Sequence, residues 1–329
     1  MRMRTIAGTE VSEIGLGCMN VSHAYGDPLP PAEGATILLR ALELGITHFD
    51  TATLYGGGRN QSLLGNTLKD YRQQFYLASK CGMALVDGKK TIDGRPETIK
   101  AQCDASLQQL QTDVIDLYYL HRWDKVTPIE DSMGAMADLI KDGKIRAVGL
   151  SEASAQTIRK AHAVCPISAV QSEYSPWSRN VEIAVLDTCR EIGAAFVAFS
   201  PLARGMLANG IKSLEVLRDK DIRRNMPRFQ EPNFSQNLKL VEQFDALAAE
   251  CGVTPAQLCL KWVLSRGDFV QPIPGTTSLK HLEENVRASD LDVDQAILNR
   301  VSALINQATV SGPRYPAATQ LEIDTEEFA

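Results

Sequence analysis

Short apolar runs recur along the chain, and each gives way to a longer stretch in which apolar positions fall three and four residues apart. After a segment at 4–13 that reads as a small hairpin, the run Ile14-Gly15-Leu16-Gly17 is the first strand. Residues 31–44 place Ile37, Leu38, Ala41, Leu42 and Leu44 at helical spacing, and Gly45 ends that helix as a C-cap glycine does. Ile46-Thr47-His48-Phe49-Asp50 is the second strand. Further strands are predicted at 75–80, 115–121, 145–151, 169–174, 195–200 and 269–273, each separated from the next by a helical stretch. Eight such repeats without a large break predict an α/β architecture, the closed (β/α)8 TIM barrel rather than an open doubly wound sheet, with the amino-terminal hairpin across the barrel floor.

Three stretches exceed the minimal repeat: 81–96, rich in Gly, Lys and Asp; 203–234, with Pro-ended turns and many charges; and the tail after Ser311. Loops of that length in a barrel are expected around the substrate mouth. With 329 residues and 44% hydrophobic content, one large core suffices, and residues 1–329 read as a single domain.

Charge and cysteine content narrow the classes of partner. The net charge of −6 is spread along the chain with no basic stripe and no Lys/Arg-rich tail, which argues against nucleic acid. The seven cysteines are odd in number, scattered and never spaced C-x-x-C, so neither a disulfide framework nor a metal site is expected, and a reducing cytoplasm fits them. The start, Met1 to Gly8, has no apolar core of signal-peptide length, and no later run reads as a membrane span, so no membrane partner is expected.

Asp50, Tyr55, Lys80 and His121 fall at or just beyond the ends of three consecutive predicted strands, where barrels of this kind build their active sites. Taken singly, each has an ordinary structural explanation: a turn residue, a packed aromatic, a hydrogen-bonded histidine. Together they suit proton delivery. A phenol ionises near pH 10 in water, so a tyrosine exchanges a proton usefully at neutral pH only beside a cation. Lys80 supplies that cation, Asp50 holds it charged, and His121 donates a hydrogen bond to a substrate oxygen. The pattern Gly15-x-Gly17-x-x-Asn20 fails the dinucleotide fingerprint at its last position, which argues against a Rossmann fold.

These residues resemble the aldo-keto reductase superfamily. The resemblance runs from Ile14 to about Asn306 through Asp50-Thr51-Ala52-x-x-Tyr55-Gly56, Ser79-Lys80, Ser106-Leu107 with Leu110 and Asp113, Ile115-Asp116-Leu117-Tyr118 to His121, and Gly143-Lys144-Ile145-Arg146 with Gly149-Leu150-Ser151. It continues through Gln171-x-Glu173-Tyr174-Ser175, Ser200-Pro201-Leu202, Ile273-Pro274-Gly275-Thr276 and Glu284-Asn285. It implies a barrel that binds a nicotinamide dinucleotide, with Tyr55 as general acid, Lys80 and Asp50 tuning it, and His121 orienting a carbonyl. It assigns the nicotinamide carboxamide to Ser151 and Gln171, ring stacking to Phe199 where Tyr is common, and the pyrophosphate cover to the loop with Ser200, Pro201, Leu202, Arg204 and Gly205. Gly17, Met19 and Ile273 are implied as further cofactor neighbours. Glu152 stands where the best-known branch has Asn.

The segment Gly275-Thr276-Thr277-Ser278 with His281, Glu284 and Asn285 is implied as the far end of the cofactor site. It offers Lys280, His281 and three hydroxyls against a 2′-phosphate, so NADPH/NADP+ is the implied cofactor, with NADH as the alternative. The substrate mouth is expected to be lined by Met19, Asn20, Tyr25, Met83 and Trp123, and the Gly149 to Ser154 run is most similar to the bacterial and plant branch that includes pyridoxal reductases. The function so implied is reversible reduction of a small-molecule aldehyde or ketone to an alcohol. The alternatives are a Schiff-base aldolase using Lys80 and a cofactor-sensing regulatory subunit without strong catalysis.

Overall fold

The computed structural model describes residues 1–329 apart from His23, Asn209 and Ala329. Its first two strands, β1 (Met3–Ile6) and β2 (Thr9–Ser12), pair antiparallel as a hairpin. Next come β3 (Leu16–Gly17), β4 (His48–Asp50) and β5 (Tyr76–Cys81). A second hairpin, β6 (Met83–Val86) with β7 (Lys89–Ile92), follows directly. The remaining strands are β8 (Ile115–Leu120), β9 (Ile145–Ser151), β10 (Ile167–Glu173), β11 (Ala195–Phe199) and β12 (Val270–Pro272).

The eight strands β3, β4, β5, β8, β9, β10, β11 and β12 form one sheet in that order, with parallel neighbours. Hydrogen bonds from the Gly15 amide to the Pro272 carbonyl (3.0 Å) and from the Gly17 amide to the Pro274 carbonyl (3.3 Å) join its first and last edges. The sheet is therefore closed, which leaves no strand edge exposed, and the fold is the predicted (β/α)8 barrel with helices outside.

Alternation along each strand decides which side chains enter the barrel. In β5, Tyr76 and Ala78 belong to the interior cluster with Leu117, Tyr119, Ala147, Ala169 and Val197, whereas Leu77 and Cys81 pack outward under the helices. Lys80 is next in the inward row and is fully buried. The same two-residue step in β9 runs Ala147, Gly149, Ser151. A Cβ at Gly149 would lie 2.3 Å from the Tyr119 ring, so glycine there makes room for a large interior side chain.

The amino-terminal hairpin does cross the barrel floor. Ile6 and Val11 join the interior cluster, and the Ser12 amide donates to the Thr47 hydroxyl just ahead of β4. The stretch at 81–96, expected as a loop, is instead largely the β6–β7 hairpin. Asp87 and Gly88, with φ of 49° and 74°, make its two-residue turn, the geometry that an Asp-Gly pair favours. Short 3-10 turns occupy Ala203–Ala208, Leu214–Val216, Ile222–Asn225 and Pro227–Phe229, and the tail carries one short helix, Ala317–Gln320. Among the described residues, no helix is long and apolar enough to cross a membrane.

Candidate active site

The carboxyl ends of β4, β5, β8, β9 and β10 bring Asp50, Lys80, His121, Ser151 and Gln171 to one end of the barrel. Tyr55 reaches the same point from the turn after β4. Its backbone is held by the bond from the Tyr55 amide to the Ala52 carbonyl, and the chain then passes through Gly56, Gly57 and Gly58 at φ of 60°, 63° and 88°. Three successive left-handed residues are a conformation that only glycine adopts at low cost, so the Tyr55-Gly-Gly-Gly sequence is what aims the phenol inward.

Lys80 is the hub. Its Nζ donates to Asp50 Oδ1 in a short ion pair, to the Thr51 carbonyl at 2.8 Å and to the Tyr55 hydroxyl at 3.3 Å. Asp50 in turn accepts from Gln171 Nε2 through Oδ2 at 2.7 Å, so one carboxylate orients both the ammonium and the amide. The His121 amide donates to the Cys81 carbonyl, and its ring meets the Tyr55 ring edge-on with centroids 5.8 Å apart. Asp50, Lys80 and His121, from three strand-loop units, thus gather around the phenol of Tyr55.

Burial and charge compete at this hub. Burial acts to lower the Lys80 pKa, but the Asp50 charge, with a contribution from Tyr55, outweighs it and leaves the ammonium above its ordinary value. Burial raises the phenol of Tyr55, and the opposing pull of Lys80 offsets this only in part. In this state Tyr55 is a protonated phenol beside a protonated lysine. A fully buried, protonated lysine with three acceptors around it is not a nucleophile, which opposes the Schiff-base reading.

The phenol opens into a cavity of about 760 Å³. Its wall includes Gly17, Met19, Asn20, Tyr25, Asp50, Tyr55, Met83, His121, Ser151 and Gln171, as expected from the sequence. Beyond them the wall carries Phe199 to Leu202, Arg204, Gly205, Ile273, Gly275 to Thr277, His281, Glu284 and Asn285. Three expected residues are off it: Lys80, which is fully buried, Trp123 and Ser278. Trp123 packs against the barrel's outer core and donates its indole N–H to the Thr127 carbonyl at 2.7 Å, and Ser278 spends its hydroxyl on capping the helix Leu279–Arg287. Arg204 lines the cavity, but its guanidinium is tied to Glu173 at 2.6 Å and to the Tyr315 hydroxyl at 2.9 Å, so its charge is already neutralised.

Glu152, at the position where Asn is usual, does not face the cavity. Its carboxylate is buried against Arg314, the Thr325 hydroxyl and the Glu173 amide. The sequence reading marked the tail after Ser311 as a long segment but passed over its individual residues, of which Tyr315, Pro316, Thr319 and Glu322 line the mouth. It also passed over Arg122, a wall residue that donates to the His121 carbonyl and to Ser151 Oγ. The signal available for the tail is Arg314-Tyr315 itself, a charged and aromatic pair in the long segment after Ser311.

A dinucleotide suits this wall on several grounds. The helix Leu279–Arg287 begins at the cavity edge behind Thr276 and Thr277, and the amides of a helix's first turn favour an anion. At the same end, the buried side-chain oxygen of Asn285 makes no hydrogen bond among the described residues and so calls for a donor such as an exocyclic amine. At the other end, with Gln171 Nε2 spent on Asp50, the Gln171 oxygen and the Ser151 hydroxyl are suited to an amide.

Comparison with known proteins agrees with this geometry. The chain is 41% identical over 312 residues to a probable aldo-keto reductase 1 of Glycine max, covering 94% of this chain and 89% of that one. Its fold is similar to that of a glycerol dehydrogenase from Gluconobacter oxydans, with a TM-score of 0.86 at 27% identity over 96% of this chain and 98% of the other. It is also similar to an aldo-keto reductase from Bacillus halodurans in its holo form, with a TM-score of 0.78 at 27% identity over 93% and 97%. The model of the aldo/keto reductase family matches residues 13–306, and the chain accordingly belongs to that family of oxidoreductases.

Proposed function

We propose that the protein reduces an aldehyde or ketone to an alcohol with NADPH, with Tyr55 delivering the proton. The observation that carries this is the contact of the Tyr55 hydroxyl with Lys80, itself paired with Asp50, at the base of the cavity. The dinucleotide supplies a hydride when bound. The protein's part is to place a carbonyl oxygen between the Tyr55 hydroxyl and His121, where a protonated phenol and a ring N–H stabilise charge as it develops on oxygen. As the proton leaves Tyr55, the ammonium of Lys80 stabilises the phenolate, and Asp50 keeps that ammonium charged. Run backward, the same groups take a proton from an alcohol.

Calorimetric titration with NADPH and NADH, followed by dihydronicotinamide absorbance with a panel of aldehydes and ketones, tests the reading. NADPH binding with carbonyl-dependent oxidation is expected. A protein that binds neither nucleotide does not have this function.

The preference for NADPH rests on thin charge. Among the residues at the start of the helix Leu279–Arg287, only Lys280 and His281 offer a cation, and only His281 is on the cavity wall. His281→Arg brings a planar, permanently charged fork to that edge and is expected to raise the NADPH-to-NADH affinity ratio by about tenfold, the worth of one charge-assisted hydrogen bond. An unchanged ratio in paired titrations places the 2′-phosphate elsewhere.

A further inference from the structure

Four lysines and arginines line the cavity: Lys90, Arg122, Arg204 and Arg223. Three are neutralised. Lys90 pairs with Glu322 at 2.5 Å, Arg204 with Glu173 at 2.6 Å and Arg223 with Asp221 at 2.6 Å. Arg122 is different. Its hydrogen bonds go to neutral acceptors, the His121 carbonyl at 2.6 Å and Ser151 Oγ at 3.0 Å, both from Nη1. Among the described residues it has no carboxylate partner, and its Nη2 and Nε donors make no hydrogen bond.

A half-buried guanidinium without a counter-ion is costly unless a ligand supplies one. Its location says which part of a ligand would do so. Arg122 is the neighbour of His121 in sequence and in space, and its charge acts on the phenol of Tyr55, favouring the ionised form. The two bonds from Nη1 fix the head group against β8 and β9, so it is held in place before a ligand arrives. Planar, forked donors of this kind match a carboxylate in two parallel bonds.

We propose that Arg122 anchors an anionic substituent beside the reacting carbonyl, so that the preferred substrates are carbonyl compounds carrying a carboxylate close to the carbon that is reduced, of the 2-oxo acid type. This rests on the carbonyl reductase reading above. The remaining wall near the phenol, Leu54, Met83 and the Tyr55 ring, is apolar and suits the hydrocarbon part of such a substrate. No other lysine or arginine of the wall competes for the carboxylate, since each already has one.

The test compares phenylglyoxylate with its neutral methyl ester, using NADPH, on wild type, Arg122→Met and Arg122→Lys. Arg122→Met is expected to lower kcat/KM for phenylglyoxylate by on the order of 10- to 100-fold more than for the ester, the range for a charge-assisted hydrogen bond, with the extra loss mainly in KM. Arg122→Lys, which keeps the charge and loses the fork, recovers part of the loss. NADPH affinity by calorimetry stays at the wild-type value in both variants. Equal losses on the two substrates, or a fall in NADPH affinity, overturn the inference and make Arg122 a support for His121 or Ser151 instead. So does a wild-type protein that reduces the ester and not the acid. A wild-type protein that binds NADPH and reduces neither compound nor any other carbonyl sinks the reductase reading, a result distinct from those.

Discussion

Tyr55→Phe is expected to lower kcat for carbonyl reduction by about 10²- to 10⁴-fold, the usual worth of a positioned general acid, while NADPH binds as tightly as to wild type. The substitution removes one oxygen atom and leaves the ring against His121 and over Lys80, where the ammonium lies 5.0 Å from the ring centroid. The fold is therefore kept while the proposed proton donor is lost. The pH profile of the wild type carries a second check. Because burial holds the Tyr55 pKa above that of a free phenol despite the opposing pull of Lys80, the donor stays protonated through the neutral range. Loss of reduction from this group begins only as pH rises toward that raised value, so no limb near pH 7 is expected from it. A Tyr55→Phe protein that turns over carbonyls within about threefold of wild type, a gap of less than 1 kcal/mol, would take the proton-donor role away from this residue.

The barrel and the hub around Tyr55 were legible because both follow from strand periodicity. Once β5 is aligned with Tyr76 and Ala78 inward, Lys80 must point inward too, at the end where active sites form. The glycine triplet after Tyr55 gave a local reason for the turn. What stayed illegible depends on contacts between segments far apart in sequence. The hairpin of β6 and β7 carried a readable signal in Asp87-Gly88, but its strands are short and mostly exposed, so burial imprints no clear alternation on them. Trp123 follows the expected strand-end histidine closely, yet an indole N–H needs an acceptor, and the Thr127 carbonyl at 2.7 Å supplies it away from the cavity wall. Arg122 was hidden by its neighbour. A cation beside a strong candidate histidine acquires meaning only when the other cations of the cavity are seen to be paired.

The tail was the least legible part, and it yields the largest expected effect on stability. Arg314→Met should destabilise the protein by about 3–5 kcal/mol, the cost of leaving one member of a buried ion pair without its partner. Arg314 is 5% exposed and Glu152 1%, and the same guanidinium lies 3.5 Å from Glu173. Burial acts to raise the Glu173 pKa, but the charges of Arg204, Arg314 and Arg228 outweigh it and hold the carboxyl down to about 2. With its folded pKa depressed, Glu173 contributes stability above the unfolded carboxylate range, and that contribution is lost as pH falls from about 4.5 toward 2.

The same pairing fastens the tail over the mouth, helped by the Thr325 hydroxyl on Glu152 and the Asp324 carboxylate accepting from the Ser154 amide. Denaturant unfolding of Arg314→Met should therefore show a lower midpoint, and limited proteolysis should cut the tail sooner than in wild type. Glu152→Gln in the same chain removes the stranded charge, so the double variant is expected to be more stable than Arg314→Met alone. If the two substitutions instead add, each costing what it costs singly, Glu152 and Arg314 do not act as a pair, and the tail is held by its backbone and apolar contacts.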